Sequence, residues 1–285
     1  MKERMVYSYE CIDSTNVQAK RLAEDGAAHG TLVVAEQQTA GRGRRGRAWD
    51  SPRGKNLYFT LILKPDFPPE RASMLTLVMA VAVKRGICNI LQQMTAISAP
   101  ESLETCINSD NVMWDAVADD SAMGQDVVCS IKWPNDIIIG DKKVCGILTE
   151  MSVGKNSINH VLVGVGINVK KQAFAAELVD KATDIETECG QEISRTLLLE
   201  HILQAFDEVY EVYVQTCDLS GLQEEYNACL INRNREVKVL DPQGEFTGIA
   251  RGINVAGELL VEKSDGTVTN IYAGEVSVRG LYGYV

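Results

Sequence analysis

The chain has 285 residues, 45% of them apolar, and a formal net charge of −11. It is long enough to bury a full core as one large domain or a large plus a small one, and its acidic balance argues against general nucleic-acid binding, which draws on a broad basic surface. No run approaches the roughly 18 apolar residues of a membrane span, and Met1-Lys2-Glu3-Arg4 leads into no apolar export segment, so a cytoplasmic protein is expected.

Ser14-Thr15-Asn16 caps a predicted helix that runs from Val17 through Glu24 and ends near Gly26. Residues 32–36 and 56–63 read as apolar strands. Pro68-Pro69 breaks the chain before a long helix over 70–93, whose Leu75, Val78, Met79, Ala82 and Val83 follow helical spacing. From 95 to 126 the chain carries seven carboxylates and no Lys, Arg or His. This acidic insertion, with a short helix around 112–117, reads as a solvated surface loop; a docking surface for a basic partner is the alternative. Strands follow at 127–132, 136–139, 144–151 and 160–169, then helices at 194–217 and 219–229. Short strands at 236–240, 246–252, 259–262 and 268–272 alternate with turns, the pattern of a small β-barrel of roughly 50 residues. The expected fold is α+β, a largely antiparallel or mixed sheet flanked by helices. It divides into a catalytic domain over 1–230, with 95–126 inserted, and a barrel over 231–285.

Eight cysteines are scattered without a C-x-x-C pair or an accompanying His cluster. In a chain of this length they read as reduced thiols, several of them small core residues. The three histidines (His29, His160, His201) are far apart, and nothing places them as metal ligands or as a catalytic base.

The stretch Gly41-Arg42-Gly43-Arg44-Arg45-Gly46-Arg47-Ala48-Trp49 holds four arginines and three glycines between two strands. Its spacing formally matches G-x-G-x-x-G, but that pattern needs a helix directly after the turn; here Pro52 and Gly54 lead into a second strand, and the dinucleotide reading fails. Gly54-Lys55 is no phosphate loop either, because Trp49 stands where the first glycine belongs. What remains is a cationic loop between strands. Glycines admit close backbone approach and arginines offer forked donors for phosphate oxygens, so its guest is the phosphate chain of a nucleotide. An arginine–glycine RNA-binding tract would be longer, repeated and embedded in low-complexity sequence.

A second cluster is Lys132-Trp133-Pro134-Asn135-Asp136, followed by Gly140-Asp141 and by Lys142-Lys143-Val144-Cys145-Gly146-Ile147-Leu148. Lysines bracketing a carboxylate suit a site for a carboxylate substrate and a magnesium–triphosphate; an ordinary hairpin with a solvated lysine end fits equally well. Alone, Ser14-Thr15-Asn16 is a helix cap and Gly164-Val165-Gly166-Ile167-Asn168 a glycine-containing strand end.

Taken in order, Ser14-Thr15-Asn16, Gln38, the arginine–glycine loop, Lys132-Trp133-Pro134-Asn135-Asp136, Lys143 to Leu148 and Gly164 to Asn168 resemble the biotin protein ligases over residues 13–169. The resemblance implies a catalytic domain related to class II aminoacyl-tRNA synthetases and an SH3-like C-terminal barrel. It also implies activation of biotin with ATP to biotinyl-5′-AMP, then transfer to a lysine of a biotin carboxyl carrier protein domain of a biotin-dependent carboxylase. The chain begins only a short way before Ser14, so the likeness is to the monofunctional type without a DNA-binding helix-turn-helix, and the acidic insertion is long for the family. A homodimer through a sheet edge or the barrel fits the same picture.

The resemblance also assigns residues. Biotin's ureido ring is a polar group on an apolar bicycle and needs matched donors and acceptors when buried. Ser14, Thr15, Asn16 and Gln38 are the matching positions, with Arg42, Gly43, Arg44, Lys143 and Gly146 completing the biotin site. Attack of the biotin carboxylate on the α-phosphorus is catalysed by positioning and by neutralising phosphate charge. Lys143 and Arg42 are the catalytic candidates. Arg42, Arg44, Arg47, Trp49, Lys132, Asn135 and Asn168 are expected to hold ATP or the adenylate, with Mg2+ sharing the phosphate charge and Asp136 its indirect partner. The loop is expected to order over its ligand, and no residue stands out as a base for the incoming amine. A lipoate or octanoate ligase is the nearest alternative, but its Arg-Arg-x-x-Gly-Gly-Gly pattern is missing. A biotin-sensing repressor is the alternative from another class, and the acidic charge counts against it.

Overall fold

A computed structural model of the chain describes residues 2–98, 127–155, 157–241, 244–273 and 277–280. The acidic stretch from 99 to 126, including the helix expected around 112–117, lies outside the described residues.

The fold is organised by β3 (Leu57–Leu63), which is buried at every position. Side chains alternate across a strand. Phe59, Leu61 and Leu63 therefore enter the large core, while Ile62 joins a smaller cluster with Ala19, Ala23, Val33 and Leu162 beneath the first helix, α1 (Thr15–Glu24). Around β3 assemble β1 (Val6–Tyr9), β2 (Leu32–Ala35), β4 (Cys129–Lys132), β5 (Asp136–Ile139), β6 (Lys142–Val153) and β7 (Ile158–Ile167). The seven-stranded sheet runs β1-β2-β3-β7-β6-β5-β4. Only β1 and β2 pair in parallel; the other neighbours are antiparallel, so the sheet is mixed as expected.

The large core closes under two long helices. The predicted helix over 70–93 begins as a 3-10 turn at Pro69–Met74 and continues as α2 (Leu75–Ser98). α2 packs on α4 (Arg195–Thr216) so closely that a Cβ on Gly86 would stand 2.5 Å from Ile202 Cγ1. The segment Pro69–Met94 is long and apolar enough to cross a membrane by length and composition, but 67% of its most apolar window is buried inside the protein, as in a core helix. The described residues also hold two short helices, α3 (Ile185–Cys189) and α5 (Gln223–Cys229); α5 is shorter than the 219–229 expected.

The last strands, β8 (Glu236–Leu240), β9 (Phe246–Ile253), β10 (Leu259–Glu262), β11 (Val268–Ile271) and β12 (Ser277–Gly280), form a five-stranded antiparallel sheet in the order β11-β10-β9-β8-β12. Its inward residues Val237, Val239, Ala250 and Leu259 belong to the same buried cluster as the large core. The Trp133 indole N–H donates to the Gly257 carbonyl at 3.0 Å, which ties the two sheets together.

Candidate functional site

The pocket forms where β6 and β7 run beside α1 and the arginine–glycine loop. Its lining includes Ser14, Thr15, Asn16, Gln38, Arg42, Gly43, Arg44, Trp49, Asn135, Lys143 and Gly146, and it encloses about 430 Å³ counting the part open to solvent. Residues more than a hundred positions apart in sequence thus meet at one site.

The polar end comes from the start of α1. Ser14 holds the N-cap position, but its side chain makes no capping hydrogen bond. The residue keeps the cap position expected of it and also lines the pocket. Gln38 Oε1 accepts from both the Thr15 backbone N–H (2.8 Å) and the Thr15 hydroxyl (3.1 Å), and its amide nitrogen donates to Ser51 Oγ at 2.9 Å. An amide oxygen has two lone pairs. Both are committed here, so the orientation of Gln38 is fixed.

The floor consists of glycines. On β6 and β7, Gly146 faces Gly166 and Leu148 faces Gly164. A Cβ on Gly166 would lie 2.5 Å from Trp49 Nε1, and one on Gly146 would lie 2.9 Å from Trp49 Cζ3, so only bare backbone lets the indole lie flat there. The Trp49 indole N–H is buried and has no hydrogen-bond partner among the described residues.

The arginine loop carries its own ladder. Arg42 and Ala48 form an antiparallel bridge, Gly43 N–H donates to Arg47 O at 2.8 Å, and Trp49 N–H donates to Gly41 O at 2.9 Å. A Cβ on Gly41 would stand 2.3 Å from the Trp49 carbonyl oxygen, which accounts for that glycine. The ordering that the sequence reading left to a ligand is partly supplied by these bonds. Arg44 leaves the loop to donate to Asn135 Oδ1 at 3.0 Å and to the Ala273 carbonyl of the C-terminal sheet. Burial lowers the pKa of its guanidinium, with the Asp136 charge opposing that fall.

Lys143 reaches the site through a bulge. Ile137 pairs with Cys145 but Ile138 pairs with Lys143, so Val144 is an extra residue in β6. Strict alternation would put Lys143 and Gly146 on opposite faces. The bulge returns Lys143 to the face of Gly146 and Asp136. Its ammonium lies 2.6 Å from Asp136 Oδ1 and 5.2 Å from the centroid of the Trp49 ring.

Four of the expected site residues are not among those lining the pocket. Asp136 stands behind Lys143. Arg47 is exposed on the loop. Asn168 is buried, and its side-chain amide donates to the Thr183 carbonyl at 3.1 Å. Lys132 is buried too, and burial pulls its pKa down to about 8 against the raising effect of Asp136.

Sequence reasoning missed Ile147, Leu148, Gly164, Val165 and Gly166 as lining residues, and Thr60 and Glu150 as the partners that fix Asn16. The alternation Gly164-Val165-Gly166 was the available signal, because it bares one face of a strand while keeping the other apolar. Among the described residues, no group of three or more His, Cys, Asp or Glu is arranged to hold a metal ion.

Residues 8–168 match the Biotin/lipoate A/B protein ligase family, and residues 234–279 match the Biotin protein ligase C terminal domain. Over 282 residues the chain is 36% identical to the bifunctional ligase/repressor BirA of Bacillus spizizenii, an alignment covering 98% of this chain and 75% of that protein. It is 28% identical to the biotin–[acetyl-CoA-carboxylase] ligase of Paracoccus denitrificans, over 94% of this chain and 98% of that one. The solved structure of the biotin protein ligase from Aquifex aeolicus in complex with biotin and ATP superposes with a TM-score of 0.71 at 27% identity, covering 97% of this chain and 99% of that chain.

Proposed function

This chain belongs to the biotin/lipoate A/B protein ligase family, and on that premise we propose which of its residues carry the reaction. The enzyme is a biotin–protein ligase: it activates biotin with ATP to biotinyl-5′-AMP and passes the biotinyl group to a lysine of a biotin carboxyl carrier domain. One observation carries the residue assignment. A single pocket holds a polar, orientationally fixed end (Ser14, Thr15, Asn16, Gln38) and a cationic end (Arg42, Arg44, Lys143).

Biotin has the same polarity along its length. Its ureido ring would sit at the polar end, where Ser14 offers an uncommitted hydroxyl and Gln38 a remaining amide hydrogen. The bicycle would lie in the pocket between these two ends and the valeryl carboxylate would reach Lys143. The Lys143 ammonium then neutralises charge between carboxylate and α-phosphate as the new C–O–P linkage forms and pyrophosphate leaves. Asp136 holds Lys143 in place, Trp49 walls the adenylate, and Arg42 and Arg44 face its phosphate. Arg47 and Lys132 lie further out, where their charge favours the polyphosphate. Asn168 acts from behind by fixing the turn after β7.

Asp136 is already paired with Lys143, and the described residues offer no carboxylate cage for a divalent ion. In this proposal Mg2+ arrives as the counter-ion of the nucleotide, held by phosphate oxygens and water. The seven described cysteines are free thiols, in keeping with a cytoplasmic site of action. The sheet edge at β1 is the surface through which we propose a second copy pairs, which sedimentation velocity tests.

Pyrophosphate release should be measured with ATP and biotin, lipoate or octanoate in parallel. Release with biotin alone is the expected result. Release with lipoate or octanoate and none with biotin would overturn this reading.

A further inference from the structure

Glu150 joins two parts of the site, the start of α1 and the arginine–glycine loop. It lies on β6 two residues beyond Leu148, on the face that carries Gly146. Its two carboxylate oxygens are divided. Oε2 accepts from Asn16 Nδ2 at 2.8 Å, and Oε1 lies 3.2 Å from an Arg42 guanidinium nitrogen. The first contact is with the buried start of α1, the second with the arginine loop.

The Asn16 end is rigid. Thr60 Oγ1 donates to Asn16 Oδ1 at 2.7 Å, and both residues are buried. A carboxylate can only accept, and the Thr60 hydroxyl is donating, so the amide has one orientation. A flipped amide would set oxygen against oxygen. The Arg42 end is different in kind: its side chain is 50% exposed and that of Glu150 33% exposed. An ion pair this open adds little to stability. Its effect is to place Arg42, which lines the pocket while Glu150 does not.

We propose that Glu150 is a positioning residue for biotin binding, orienting Asn16 with one oxygen and holding Arg42 over the pocket with the other, so that the loop and the floor present their groups in register. The proposal rests on the ligase reading above. Glu150 itself touches no substrate. Losing it leaves the residues that contact biotin in place chemically but unregistered.

The test is Glu150→Gln, whose amide oxygen can still accept from Asn16 while the charge that holds Arg42 is gone. Biotin-dependent pyrophosphate exchange should show the KM for biotin raised about tenfold, with an unaltered melting temperature. Release of preformed biotinyl-5′-AMP should be faster by a similar factor. Because the effect runs through Arg42, the double variant Glu150→Gln/Arg42→Met should bind biotin no worse than Arg42→Met alone. An unchanged KM for biotin in Glu150→Gln, or losses that multiply in the double variant, would overturn the proposal. If the unaltered enzyme shows no biotin-dependent exchange, the ligase reading fails instead, which separates the two outcomes.

Discussion

Asn16 Oδ1 occupies the space that a side chain on Gly164 would need: a Cβ there would lie 1.9 Å from it, and 2.8 Å from Asn16 Cγ. Neither partner yields without breaking bonds. Asn16 is pinned by Thr60 and Glu150, and Gly164 is paired with Thr60 on β3 and Leu148 on β6. Gly164→Ala should therefore displace Asn16 rather than simply crowd it. Overpacking of this kind costs about 1–3 kcal/mol, and here most of it should appear as weakened biotin binding, on the order of 10–100-fold. Isothermal titration with biotin beside a thermal melt checks this; full affinity in a folded variant would refute it.

Lys143 and Asp136 form a pair whose members should separate in kinetics. Removing a preorganised charge from a reacting centre costs about 10²–10³ in turnover. Lys143→Met should lose that much in biotin-dependent pyrophosphate release. Asp136→Asn keeps the lysine but frees it to wander over the Trp49 ring, so a smaller loss is expected. Single-turnover adenylate formation is the measurement, and equal losses in both variants would mean that Asp136 does more than hold Lys143.

Lys132 gives a pH signature. Burial lowers its pKa from the ordinary 10.5 to about 8 in the folded protein. Between those values the unfolded chain keeps a proton that the folded protein has released, so this group's contribution to stability rises with pH. It is complete above about pH 10.5 and lost as pH falls through about 8. The stability difference between the unaltered protein and Lys132→Met, from urea unfolding, should therefore be more favourable to the unaltered protein at pH 10 than at pH 7.5. A flat or reversed difference would rule this out.

Much of the core could be read from the chain because its strands and helices are dense in apolar residues at regular spacing. Residues 57–63 form a strand whose every position is buried, and the helix through Leu75, Val78, Met79, Ala82 and Val83 faces the sheet. β1 escaped because its four residues are mostly exposed and owe their strand state to pairing with β2. The site was legible in parts. Arg42 and Lys143 stand out by type and Gln38 only through the family resemblance, and their meeting depends on sheet order and on the bulge at Val144, which shifts alternation by one residue and leaves no mark in the sequence. Ser14 was legible in two ways: residue type and position spell a helix cap, and the family resemblance puts it in the biotin site. The structure gives it the cap position without a capping side-chain bond and a place on the pocket wall. Glu150 was invisible, since a lone acidic residue on a strand looks like solvated surface until its two partners are seen.

The bond from Arg44 to the Ala273 carbonyl sets an order of events during synthesis. All the side chains that wall the pocket are encoded before Ile167, and N-terminal units can fold while the rest of the chain is still being made. The carbonyl that receives Arg44 emerges only when translation has passed residue 273. A nascent chain thus holds every side chain of the pocket wall well before it can brace Arg44, and that brace is completed only with the last sheet.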